Sequence, residues 1–288
     1  MPAALKKTPD LSGKKPLPAS LGKKTIAQPR TTALTLPEEL STPSDNLLDY
    51  TFLIYGERKI GKTTLLAQFE DPFFLLSEPG AKGLSIRKRE VENWKEFNSY
   101  IDLLEKRPDY CKMVVLDTGD GFYNMCHEDA KADLGLEDIR DKAWGGGYVE
   151  IRARFKDAHK RLYNRGTGFA VTAHSEIQHV KPKFGPEYDR LSIQLGGQAF
   201  KYYAGIVDTI AYYHYDDNGK RILTIRGDET VVAGTRCKGH FLYPDGSPIF
   251  DIPMGESEEE GYANLVLAFN NELPTPAPSK SAAAKKKI

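Results

Sequence analysis

The chain has 288 residues, and its 40 Lys and Arg balance 40 Asp and Glu, so the formal net charge is zero. That length holds one large domain or two small ones, and the charge balance excludes a whole-protein basic field for nucleic acid while leaving local basic loops open. With 40% hydrophobic and 28% charged residues, the composition suits a soluble globular protein with some disordered tail. No apolar run approaches the roughly 18 residues needed to span a bilayer. The start, MPAALKKTPD, has no apolar stretch of a secretory signal. No membrane role and a cytoplasmic location are therefore expected. Cys111, Cys126 and Cys237 are odd in number and far apart, with no CxxC pair. Three reduced thiols are expected rather than a zinc site or a disulfide framework.

Residues 1–48 are rich in Pro, Ser, Thr and Lys without helical or strand periodicity, which predicts a disordered tail. Residues 273–288, with a basic tip, are expected to be similar, leaving 49–272 as one domain. Within it, DYTFLIYG (49–56) is a short apolar strand running into a glycine loop, and KTTLLAQF begins a helix. PFFLLSE (72–78) is a second strand. VENWKEFNSYIDLLEKR (91–107) has helical spacing, with Trp94, Phe97, Ile101 and Leu104 on one face. KMVVLD (112–117) is a third strand and a helical stretch follows. Residues 149–165 form another helix, and GFAVTAH (168–174) a fourth strand. Apolar strands without polar alternation, spaced by helices, predict an α/β fold with a mostly parallel sheet covered on both faces. After residue 205, IVDTIAYYHY and KRILTIRG flank Asp-Asp-Asn-Gly, a β-hairpin extending the C-terminal side.

GERKIGKTT (56–64) fits G-x-x-x-x-G-K-[ST], and it follows a strand and opens a helix as a phosphate loop must. Gly56, Glu57, Arg58, Lys59, Ile60, Gly61, Lys62, Thr63 and Thr64 are the candidate nucleotide contacts. The two glycines let backbone N–H groups turn onto phosphates. Lys62 is expected at the β- and γ-phosphates and the Thr63 hydroxyl on Mg²⁺. MVVLD ends a buried strand in Asp117, the acidic residue that a Mg²⁺ shell requires. The next residue is Thr118, where many such enzymes place a catalytic glutamate. The water-activating base must then come from elsewhere, and Glu78 at the end of FFLLSE is the best candidate. It stands equally well as a surface carboxylate capping the PGAKG turn. His174, ending GFAVTAH, is either a sensor of the γ-phosphate or a loop histidine. Thr172, inside the strand, is set aside as sensor.

In the order GERKIGKTT, FFLLSE, MVVLD, VTAH, the chain resembles the RecA-like P-loop ATPase core over residues 48–255. More closely it looks like phage-encoded nucleotide-binding proteins related to recombinases and ATP-dependent single-strand annealing proteins. The resemblance implies ATP and Mg²⁺ as cofactors, Lys62, Glu78 and His174 as catalytic groups, and a water positioned by Glu78. RecA has glutamine where this chain has His174. It also implies a DNA-binding loop after His174. Residues 175–198 contain His179, Lys181, Lys183 and Arg190 among Phe184 and Tyr188, cations and stacking faces that suit single-stranded DNA. Glu176, Glu187 and Asp189 dilute that charge, and a β-hairpin with a charged face is the alternative. WGGGY (144–148) falls where the other DNA-facing loop of RecA lies, or simply separates two helices. Arg236 and Lys238 are candidates to complete the site of a neighbouring subunit.

The function expected is an ATPase acting on single-stranded DNA in phage recombination or replication, in the host cytoplasm. A homo-oligomeric ring or filament is expected, with a single-strand-binding protein or another replication partner. The alternatives are an ATP-switch adaptor such as a helicase loader, or a nucleotide kinase, although no compact Arg-rich lid stands out.

Overall fold

The apolar run after Tyr50 is buried at every residue of its strand, β1 (Thr51–Gly56), as a strand covered on both faces must be. The computed structural model describes residues 36, 38 and 40–276, which lie almost wholly within one compact unit, Pro37–Ile288. In chain order, β1 is followed by α1 (Lys62–Leu66), β2 (Pro72–Leu76), β3 (Arg87–Glu90), α2 (Trp94–Lys106), β4 (Met113–Asp117), α3 (Gly119–Asp133) and α4 (Gly146–Tyr163). Then come β5 (Gly168–Val180), β6 (Tyr188–Gln194), α5 (Gly197–Ile206), β7 (Thr209–Tyr215), β8 (Arg221–Thr224), β9 (Gly234–Thr235), β10 (Asp251–Pro253) and α6 (Glu258–Phe269).

One sheet runs β10-β8-β7-β1-β5-β4-β2-β3, with β6 paired to β5 and β9 to β7. From β7 to β3 every neighbour is parallel. The antiparallel pairs lie at β8 and β10 and in the β5–β6 and β7–β9 pairings. This is the α/β class with a mostly parallel sheet that the sequence predicts. Alternate residues of the central strands point to opposite layers. Leu53, Tyr55, Leu75, Leu116 and Val171 pack with residues of α2 to α5. Phe52, Ile54, Phe74, Val115 and Ala170 pack with α1 and α6.

The helix over Trp94–Lys106 buries Trp94, Phe97, Ile101 and Leu104, the face that the spacing predicts. Its start is fixed by Asn93, whose side chain accepts from Glu96 N at 3.0 Å, while Glu96 Oε2 accepts from Glu92 N at 2.8 Å.

Four expectations change in detail. Helix α1 has only five residues rather than the longer helix read from KTTLLAQF. Helix α4 begins at Gly146, so the glycines of WGGGY open a helix rather than form a free loop. The run TIAYYHY joins the parallel sheet directly beside β1 and is more than an appendage; β8 then returns antiparallel across the Asp-Asn-Gly turn. The strand β3 went unread because RKRE carries no apolar residue; it pairs only with β2, at the sheet edge, where charge is tolerated. Burial also reaches beyond 49–272, to Leu47 and Leu48 on one side and Leu273 on the other. The rest of the expected N-terminal tail through residue 35, and residues 277–288, lie outside the described residues.

Candidate nucleotide-binding site

The C-terminal ends of β1, β4 and β2 lie level with the middle of β5, which runs between β1 and β4, and gather the motif residues. Gly56 ends β1 beside Tyr213 of β7, and a Cβ there would sit 2.1 Å from the Tyr213 carbonyl oxygen. Only a glycine lets the two strands approach so closely. Gly61 caps α1 with φ 111°, a backbone region that L side chains rarely adopt. Between them, Glu57, Arg58 and Lys59 are exposed and Ile60 is buried.

Lys62 is 5% exposed, and its Nζ donates to the carbonyls of Gly56 at 2.9 Å and Glu57 at 2.8 Å. Burial brings its ammonium down to about 8, against the attraction of Asp117 and with the repulsion of Arg58. A phosphate delivered to such a group offsets its desolvation. Thr63 Oγ1 donates to Asp117 Oδ2 at 2.7 Å, joining the start of α1 to the end of β4 across the intervening β5. Thr64 follows, half-buried in the same short helix.

Asp117 has a second partner. Thr172 Oγ1 donates to Asp117 Oδ1 at 2.5 Å. Thr172 is fully buried within β5. Set aside in the sequence as an interior strand residue, it touches the acidic residue as Thr63 does. Its signal was a lone hydroxyl in an otherwise apolar run. Ser77, just past β2, was also missed. Its backbone N–H donates to the Asp117 carbonyl at 2.8 Å, and its hydroxyl accepts from Thr118 N at 3.0 Å.

His174 is not the end of its strand. It pairs with Gly56 on one side and with Gln194 of β6 on the other, and β5 runs on to Val180. It is half-buried, and its Nδ1 is buried with no partner among the described residues. Burial, then the Lys62 charge, hold its imidazole below the usual histidine range. Glu78 is exposed in the turn after β2, and no hydrogen bond or ion pair to its side chain is found among the described residues. Its field reaches His174 weakly, behind those of Lys62, Asp120 and Arg58. Asp120, near the start of α3, completes the crevice and had no place in the motif reading.

The segment after His174 is a β-hairpin, the alternative left open in the sequence. Residues His174–Val180 pair antiparallel with Tyr188–Gln194. Two of its four cations are ion-paired. Lys181 pairs with Glu187 at 3.2 Å, and His179 lies 2.8 Å from Glu187 and 2.9 Å from Asp189. Arg190 is half-buried with a buried Nε that has no partner among the described residues, and Tyr188 is half-buried. At the tip, Phe184 is 84% exposed with Lys183 Nζ 5.5 Å from its ring centre. Arg236 donates from Nη2 to the carbonyls of Ala204 and Gly205, both at 2.9 Å, and so caps the end of α5. Lys238 is exposed.

On the opposite side of the loop from Asp117 lies a polar cavity of about 340 Å³, lined by Lys59, Ile60, Tyr215, Lys220, Arg221 and Glu258 among others. Arg221 and Glu258 pair across it at 2.7 Å. The residues fit a nucleotide with its metal. Lys62 and the Gly56–Gly61 backbone would hold the phosphates, and Thr63 and Asp117 the Mg²⁺. No group of three or more His, Cys, Asp or Glu suited to a metal occurs among the described residues. Mg²⁺ needs none, because it takes one or two protein oxygens and completes its shell with phosphates and water. The three cysteines are buried and free. No described helix is long and apolar enough to cross a membrane.

The family model described as an AAA domain matches residues 48–237. Among solved structures, the chain is similar to the KaiC-like protein PH0186 from the hyperthermophilic archaeon Pyrococcus horikoshii OT3. That pair shares 17% identity over 74% of this chain and 88% of the other, with a TM-score of 0.42. No curated protein matches.

Proposed function

The chain belongs to the AAA domain family, and from that premise we propose that it binds ATP with Mg²⁺, hydrolyses it, and acts on single-stranded DNA in phage recombination or replication. The observation that carries the nucleotide part is the Lys62–Thr63–Asp117 arrangement, a buried cation and a hydroxyl–carboxylate pair at neighbouring element ends. When bound, the nucleotide supplies the phosphoanhydride bond and Mg²⁺ the neutralising charge. Lys62 offers its ammonium to the β- and γ-phosphates, and Gly56 to Gly61 offer backbone N–H groups. Thr63 and Asp117 orient the metal side, and Thr172 fixes the rotation of the Asp117 carboxylate. The cavity lined by Tyr215 and Arg221 would take the nucleoside. Glu78 and His174 are the groups that the RecA resemblance assigns to the water and the γ-phosphate.

The DNA part is supported by continuity. The strand that carries Thr172 and His174 extends without a break into the β5–β6 hairpin. From Thr172 to Val180 is about 25 Å at the usual strand rise. Phe184 and Lys183 at its tip, and Trp144, fully exposed, offer stacking faces and a charge to unpaired bases. A ring or filament of this chain, in the host cytoplasm, would offer the exposed Lys238 as the late cation for a neighbour's site, since Arg236 is engaged. A single-strand-binding protein or replication factor is the expected partner.

The test is the ATPase rate with and without single-stranded DNA, alongside DNA affinity with and without ATP. Stimulation by DNA and ATP-dependent DNA binding are expected. A second reading, an adaptor such as a helicase loader that uses ATP only as a switch, draws on Thr118 in place of a carboxylate and on the exposed Glu78. ATP binding without turnover would select it.

A further inference from the structure

The turn TGDG (118–121) places a carboxylate in the crevice that no motif accounts for. Gly119 and Gly121 flank it, and neither position has room for a side chain. A Cβ on Gly119 would lie 2.6 Å from Val171 Cγ1 and 3.2 Å from Tyr203 Cε2. A Cβ on Gly121 would lie 2.1 Å from Ser77 Oγ. Both glycines sit in a helix of fifteen residues, where glycine is disfavoured against alanine. That cost is accepted where close approach is needed. The start of α3 is therefore wedged against β5 and against the end of β2, and Asp120 lies between them.

Asp120 is half-buried, and its Oδ1 is buried with no hydrogen-bond partner among the described residues. A buried carboxylate oxygen without a partner is costly unless something else fills its acceptor sites. The groups that feel its charge are those of the phosphate site. It raises the proton affinity of Lys62 and of His174, and on His174 it acts ahead of Glu78. The other carboxylate of the crevice is committed, with both oxygens of Asp117 accepting from threonines. Glu78 is exposed and unengaged among the described residues.

We propose that Asp120 is a catalytic residue of ATP hydrolysis, its carboxylate holding the attacking water and taking that water's proton. The assignment rests on the ATPase reading above. In the step, the water oxygen bonds to the terminal phosphorus as its proton passes to the Asp120 carboxylate. The bond from phosphorus to the diphosphate oxygen breaks, and its electron pair leaves on the ADP. Placing the base on α3 explains why the residue after Asp117 can be Thr118. The carboxylate arrives one helical step later, from a helix start packed against the strand ends.

The experiment compares wild type, Asp120→Asn, Asp120→Ala and Glu78→Gln as full chains. It measures equilibrium binding of a fluorescent ATP analogue with Mg²⁺, steady-state kcat and KM for ATP, and rescue of Asp120→Ala by formate. Asp120→Asn is expected to bind the analogue within about threefold of wild type and to lose kcat by roughly 10²–10⁴-fold, the range of general-base removal. Formate is expected to restore turnover to Asp120→Ala, an effect that a purely structural carboxylate would not show. Glu78→Gln is expected to lose less than tenfold. Asp120→Asn with wild-type kcat overturns the assignment alone. So does parallel loss of binding and turnover without formate rescue. A wild type that binds the analogue and never turns over ATP overturns the ATPase reading, and this role with it.

Discussion

Thr172 and Asp117 are joined by a 2.5 Å hydrogen bond from the Thr172 hydroxyl to Oδ1, which leaves Oδ2 to Thr63. The acidic residue at the end of β4 is thus held from two neighbouring elements. Hydrogen bonds to a charged group contribute about 1.5–3 kcal/mol. Thr172→Val keeps the shape and removes the donor. It is expected to weaken Mg²⁺-dependent ATP binding by about tenfold and to leave Mg²⁺-free binding nearly unchanged. Titration of a fluorescent ATP analogue with and without EDTA checks this. Equal affinities in both conditions for variant and wild type would show that Thr172 has no part in the metal side.

Lys62 is a buried cation held by two carbonyls, and its burial already lowers its proton affinity. Lys62→Ala should therefore cost nucleotide affinity without costing fold stability. At least about 100-fold weaker binding is expected, equivalent to about 2.7 kcal/mol. The unfolding midpoint in the absence of nucleotide should not fall. A variant that unfolds early would mean that the lysine is a structural clamp.

His159 lies fully buried among Trp94, Phe97, Phe155 and Tyr203. Its Nδ1–H donates to Phe155 O at 2.7 Å, so its Nε2 accepts from the Tyr203 hydroxyl, also at 2.7 Å. Burial pushes the imidazole down to about 3. The unfolded chain, with a histidine near 6.5, binds the proton first, so stability is full above about pH 6.5 and falls as pH drops toward 3. The loss is about 1.4 kcal/mol per pH unit, or about 2 kcal/mol at pH 5. Urea unfolding at pH 7.5 and pH 5.0 measures it. His159→Gln should flatten this part of the pH dependence; an unchanged slope would assign the acid sensitivity elsewhere.

The β5–β6 hairpin makes unequal predictions for its residues. Phe184→Ala and Lys183→Ala should each weaken single-stranded DNA binding by about tenfold, since stacking contributes about 1–3 kcal/mol per base. Lys181→Ala should matter less, because Lys181 is already paired with Glu187. Fluorescence anisotropy with a labelled oligonucleotide at low salt reads this out. Wild-type binding by all three variants would remove the hairpin tip from the DNA surface.

Arg236 caps α5 through two carbonyls. Arg236→Ala is expected to lower the unfolding temperature by a few degrees and to leave kcat unchanged. A large fall in kcat with unchanged stability would restore it as a cation acting on a neighbouring subunit.

The local chemistry of the loop was legible in the sequence. Gly56, Gly61, Lys62 and Thr63 are fixed by backbone geometry and spacing, and the period of Trp94, Phe97, Ile101 and Leu104 fixed a helix face. Asp117 was legible because an apolar strand ending in an acid is a local pattern. The parallel α/β class followed from strands without polar alternation. Three features depended on partners distant in sequence. The pairing of Thr172 with Asp117 depends on β5 lying between β1 and β4, an order that side-chain periodicity does not encode. The placement of TIAYYHY beside β1 needed the whole sheet, since a strand of that composition suits an edge or a centre equally. The burial of Asp120 arises only when two glycines let α3 press against Val171 and Ser77. Sequence alone determined the loop and strand-end pattern of Gly56, Gly61, Lys62, Thr63 and Asp117, because that pattern is local. Only the tertiary structure decided which polar groups share the crevice, because close packing brings chain segments some fifty residues apart into hydrogen-bond reach.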